Sequence, residues 1–101
     1  IMKTIMPLEL ARLISEQVSI QLIDVREHYE HKGFNIGGSL IPLGELTQNI
    51  DLIEKEIPVI LYCQKGVRSQ IAIQRLEDKY PFENLFNLIG GIDEWRKQVI
   101  Y

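Results

Sequence analysis

The stretch Pro58-Val59-Ile60-Leu61-Tyr62-Cys63-Gln64-Lys65-Gly66-Val67-Arg68-Ser69 decides the fold. Its first five residues are nearly all apolar, the pattern of a strand covered on both faces. The run breaks at Cys63 and passes through a short polar loop. It then enters Ser69 to Lys79, where the spacing predicts a helix with Ser69 as its cap. The same alternation continues in both directions. Upstream, Met6, Leu10, Leu13 and Ile14 share one helical face, with Pro7 suited to the first turn. Ile20 to Val25 reads as a strand, and Leu43, Leu46, Ile50 and Ile53 form a second helical stripe. Downstream, Leu85 to Ile89 reads as a strand and Gly90-Gly91 as a turn. Ile92, Trp95 and Val99 mark a last helix. Strands separated by helices pair in parallel with helices on both faces, so the expected class is α/β.

Length and charge narrow the functional classes. The 101 residues amount to one small domain, expected to span residues 1–101. An apolar fraction of 46% suffices for one core. A net charge of −3 and a pI near 5.3 give no reason to expect nucleic acid or an anionic membrane as a partner. No apolar run approaches the roughly 20 residues that span a bilayer. Residues 1–6 carry only Lys3 and lack the apolar core of a signal peptide. The lone cysteine implies no disulfide framework, and no Cys or His pair has metal-ligand spacing. The expected setting is therefore the cytoplasm, with no metal and no organic cofactor. Monomer and homodimer both remain open.

Ligands of parallel α/β sheets bind past the carboxyl ends of the strands. That rule selects Asp24 to Glu27, Cys63 to Arg68, and Gly90-Gly91. At the second place, Cys63 faces a helix N-terminus, whose unpaired N–H groups and dipole favour an anion. Lys65 and Arg68 add positive charge, surroundings that favour a thiolate. Gly66 lets the loop curl so that the amides of Gln64 to Ser69 converge on one point. Such a cradle suits the outer sulfur of a persulfide, the end of thiosulfate, or a phosphate. The residues are equally compatible with a small buried cysteine beside solvated surface charges.

Near the first place, Asp24 is expected to accept hydrogen bonds from the Cys63 loop. Arg26 and Glu30 are read as structural, with Arg26 pairing to Glu27 or Glu30. His28 and His31 are read as surface histidines, and Trp95 as core packing.

Four ordered pieces carry a resemblance. Asp24-Val25-Arg26-Glu27, Ile41-Pro42-Leu43, Cys63-Gln64-Lys65-Gly66-Val67-Arg68-Ser69, and Gly90-Gly91-Ile92 with Trp95 are similar to the signatures of the rhodanese homology domain, over about Thr4 to Trp95. The resemblance implies a three-layer rhodanese-like fold with a central, mostly parallel sheet. It implies a sulfurtransferase in which Cys63 accepts sulfane sulfur from thiosulfate or a persulfide and passes it to cyanide, a thiol or a partner protein. Gln64, Lys65, Gly66, Val67, Arg68 and Ser69 would form the binding loop, with Asp24 and Arg26 supporting it. Lys65 would attract the sulfonate of thiosulfate. One departure stands out: Phe34 follows Gly33 where many members have Gly-His-Ile.

Two other functions compete. A cysteine phosphatase or arsenate reductase of related fold has a loop one residue longer, with its arginine six positions after the cysteine. Here Arg68 lies five after Cys63, which makes the loop tight for a tetrahedral phosphate. A noncatalytic binding or regulatory module is the second rival; the presence of Cys63 weighs against it.

Overall fold

The computed structural model describes residues 1–99. In chain order the elements are β1 (Lys3–Ile5), α1 (Pro7–Ser15), β2 (Gln21–Asp24), α2 (His28–Gly33), β3 (Ser39–Leu40), β4 (Val59–Tyr62), α3 (Val67–Lys79), β5 (Leu85–Leu88) and α4 (Gly91–Gln98). Two 3₁₀ segments, Leu43–Glu45 and Thr47–Leu52, lie between β3 and β4. The five strands form one sheet in the order β1-β5-β4-β2-β3, and every pairing is parallel. The sheet expected to be mostly parallel is wholly so.

β4 sits at the centre, with all four residues buried. Its side chains alternate between faces, as the pleat requires. Val59 and Leu61 enter one core with Ile23, Leu46, Ile53, Ile73 and Leu76. Ile60 and Tyr62 enter the other with Ile5, Leu10, Leu88, Ile92 and Trp95. The first core lies under α3 and the 3₁₀ segments, the second under α1 and α4. The Tyr62 hydroxyl accepts the Gly38 N–H at 3.2 Å, and burial pushes its phenol up to about 12. No helix among the described residues is long and apolar enough to cross a membrane.

Several expectations need correction. The stripe from Leu43 to Ile53 does not form an α-helix. Asn49 adopts φ −116°, ψ 28°, and its side-chain amide donates to the Glu45 carbonyl at 2.8 Å. An asparagine side chain bonding a nearby backbone carbonyl competes with α-helical pairing, and the chain settles into 3₁₀ turns. Ser69 does not cap α3. The helix begins at Val67, and Gly66, in the left-handed region with φ 97°, occupies the cap position. The polar stretch around His28 and His31 is helical. It opens with a reciprocal capping box between Glu27 and Glu30.

Candidate active site

β4 delivers Cys63 to the carboxyl edge of the sheet, and α3 begins four residues later. The intervening loop curls back on the sulfur. The Gly66 N–H donates to Cys63 Sγ at 3.1 Å and the Ser69 N–H at 3.3 Å. The Ser69 hydroxyl lies 3.4 Å from the same sulfur. N–H donors aimed at a sulfur stabilise negative charge there, and hydrogen bonds to a charged group contribute about 1.5–3 kcal/mol each. Cys63 is 1% exposed, and it lines a pocket of about 260 Å³ together with Glu30, Gln64, Lys65, Val67 and Arg68. The sulfur is thus recessed beneath the loop that forms the pocket wall.

Two neighbouring elements hold that loop. The first is the start of α4, which donates the Ile92 N–H to the Cys63 carbonyl and the Asp93 N–H to the Gln64 carbonyl, both at 3.0 Å. These two bonds tie the first half of the loop, Cys63 and Gln64, to α4. Gly91 makes the close approach possible: a Cβ there would lie 2.4 Å from the Cys63 oxygen, and its φ is +60°. The second is β5. Buried Asn87 donates to the Gly66 carbonyl at 3.2 Å and accepts the Ser69 hydroxyl.

The predicted supporting pair is present but wired differently from expectation. The two Asp24 oxygens accept from Arg26 Nε at 3.0 Å and Arg26 Nη2 at 2.9 Å, and both residues are buried. Asp24 Oδ2 also meets His31 Nδ1 at 2.8 Å. Asp24 therefore serves Arg26 and His31 rather than accepting hydrogen bonds from the Cys63 loop. The link to the loop runs through Arg26, whose Nη1 donates to Gln64 Oε1 at 3.0 Å. Arg26 pairs with Asp24 and not with Glu27 or Glu30. His31 is half-buried against Asp24 and not a free surface residue.

The two loop cations are both engaged. Arg68 lays its guanidinium on Glu30, with Nη1 and Nη2 each 2.8 Å from a carboxylate oxygen. That fork holds the Glu30 carboxyl down to about 2 and raises the Arg68 guanidinium. Lys65 Nζ donates to Asp93 Oδ2 at 3.1 Å, and Gln64 Nε2 to Asp93 Oδ1 at 2.6 Å. The Gln64 and Lys65 bonds hold the Asp93 carboxyl below the usual range.

The sequence places Gly91 at this crevice and reads Glu30 as structural, but it misses Asn87 and Asp93 as parts of the assembly and Arg68 as the partner of Glu30. Of the two missed residues Asn87 carries a local signal, as the one polar residue in the strand Leu85-Phe86-Asn87-Leu88.

Comparison with known proteins matches residues 6–98 to the family model described as a rhodanese-like domain. The uncharacterized protein YqhL of Bacillus subtilis is 46% identical over 76 residues, covering 74% of this chain and 60% of that protein. The adenylyltransferase and sulfurtransferase MOCS3 of Drosophila yakuba is 34% identical over 86 residues, covering 77% of this chain and 19% of that protein. The chain thus spans less than two thirds of the first relative and about a fifth of the second. Among solved structures, a rhodanese-like domain protein from Staphylococcus aureus superposes with a TM-score of 0.85 at 29% identity, over 93% of this chain and 91% of that one. A rhodanese-related protein from Thermoplasma volcanium gives 0.84 at 25% identity, over 98% and 95%.

Proposed function

Because the chain belongs to the rhodanese-like domain family, we propose that it is a sulfurtransferase that carries sulfane sulfur on Cys63. The observation that supports this best is the pair of amides, Gly66 N–H and Ser69 N–H, directed at Cys63 Sγ.

The reaction is a double displacement. The Cys63 thiolate attacks the outer sulfur of thiosulfate or of a persulfide. A new S–S bond forms, the donor's S–S bond breaks, and sulfite or a thiolate leaves with the electron pair. The cradle holds the Cys63 persulfide. An acceptor nucleophile (cyanide, a thiol, or a cysteine of a partner protein) then attacks its outer sulfur and releases the Cys63 thiolate. The lone cysteine leaves no second thiol in this chain to resolve the persulfide, so sulfur stays on Cys63 until an acceptor arrives. The six-residue span from Cys63 to Arg68 favours this chemistry over phosphate hydrolysis, because one sulfur atom fits a tighter turn than a tetrahedral phosphate.

Intact-mass analysis after incubation with donor tests the reading. Wild-type protein is expected to gain one sulfur that cyanide removes as thiocyanate, and Cys63→Ser is expected to gain none. Unchanged mass with every donor would favour a noncatalytic binding module, and rapid hydrolysis of an aryl phosphate would favour a phosphatase.

A further inference from the structure

We infer that Asp93 and Glu30 are specificity-determining residues that disfavour a dianionic sulfur donor and leave the site to alkyl persulfides. The inference rests on the sulfurtransferase reading and specifies the donor class of that site.

The argument begins with charge. The loop carries two cations at the pocket, Lys65 and Arg68, and these would draw in thiosulfate. Each meets a carboxylate from another element. Asp93, from the first turn of α4, takes Lys65 at 3.1 Å. Glu30, from α2, itself lines the pocket and takes both Nη atoms of Arg68. Two positive and two negative side chains sum to no net charge at the mouth. Deeper in, Arg26 is likewise matched by Asp24. The cradle amides still stabilise one charged sulfur, but no uncompensated cation among these groups faces the rest of the donor.

The two donor classes place different demands on that arrangement. In Cys–S⁻ + S–SO₃²⁻ → Cys–S–S⁻ + SO₃²⁻, the approach brings two negative charges to a thiolate and a dianion departs. In Cys–S⁻ + R–S–SH → Cys–S–SH + R–S⁻, an uncharged persulfide or its monoanion approaches and a single charge leaves. A mouth without net charge penalises the first far more than the second. Lys65 is 78% exposed, so its bond to Asp93 is a weak tether. What Asp93 contributes is its charge, which acts on any anion approaching the pocket.

Donor-specific kinetics test this. Loading of Cys63 is measured with thiosulfate and with 2-mercaptoethanol persulfide across a range of ionic strength. Asp93→Asn and Glu30→Gln should each raise kcat/KM for thiosulfate about three- to tenfold at low salt, with the gain shrinking as salt screens the charge. Persulfide loading should gain less than thiosulfate loading in each variant and should show the weaker dependence on salt. Asp93→Glu, which keeps the charge, should show no salt-dependent gain with thiosulfate. Unchanged thiosulfate kinetics in both charge-removing variants, equal gains for both donors, or a gain indifferent to salt would each overturn the assignment. Failure of every donor to load any form, wild type included, would instead overturn the sulfurtransferase reading itself.

Discussion

Gly91 packs so tightly against Cys63 that a Cβ on the glycine would stand 2.4 Å from the cysteine's carbonyl oxygen and 2.6 Å from that of Gln64. The approach lets α4 donate the Ile92 and Asp93 N–H groups to those two carbonyls, and so anchors the first half of the loop. Gly91→Ala is therefore expected to push the loop away from α4. The clash falls on backbone, and the φ of +60° is unfavourable for alanine. Urea unfolding should show a loss of about 2 kcal/mol or more. Sulfur transfer should fall by more than the loss of folded protein explains. A variant with parental activity and stability would remove α4 from the role of loop clamp.

Asn87 holds the same loop from the opposite side, through the Gly66 carbonyl and the Ser69 hydroxyl. Asn87→Leu removes both bonds and leaves those two groups buried without that partner. Stability should drop by about 1–3 kcal/mol, the usual cost of an unpaired buried polar group. Activity should fall as well, because the Gly66 and Ser69 amides lose an anchor that holds them on Cys63 Sγ. Comparing kcat/KM with the unfolding free energy separates the two effects. A fall in stability with unchanged kcat/KM would make Asn87 a packing residue only.

How far the chain could be read without coordinates follows from the range of the forces involved. β4, its loop and α3 are adjacent in sequence, and burial on both faces writes an unbroken apolar run, so Cys63 stood out. β1 and β3 have three and two residues and exist only as partners of β5 and β2, so no local period marks them. α2 has six residues and buries none of them, which leaves no apolar stripe to detect. Glu27 and Glu30 form its capping box, but two carboxylates three apart read equally well as surface charge. The 3₁₀ segments differ: Leu43, Leu46, Ile50 and Ile53 have helical spacing, but Asn49 between them leaves the helical angles and bonds the Glu45 carbonyl through its side chain. The partners of the loop cations lie 38 residues away for Arg68 and 28 for Lys65, and only the packed fold brings them together. Asp24 illustrates the same limit. Its place at the end of β2 was legible, whereas its choice of Arg26 and His31 depends on how the chain turns after the strand.

The Arg68–Glu30 fork makes a prediction about acid. Glu30 titrates near 2 in the folded protein and near 4.5 when unperturbed, chiefly because Arg68 donates to its carboxylate. A depressed carboxyl stabilises the fold fully above its unfolded value, and the contribution fades as pH falls from about 4.5 toward 2. Arg68 keeps its charge throughout, so only Glu30 is neutralised in this window. With Arg68 about a third exposed, solvent screening limits the contribution to about 1 kcal/mol. Glu30→Gln lacks the titrating group, and the other carboxyls cancel when the two proteins are compared. The difference in unfolding free energy should thus be largest at pH 6–7 and shrink through pH 4 and 3, as followed by urea midpoints at each pH. A difference that stays constant down to pH 2.5 would mean that the fork adds no charge-dependent stability.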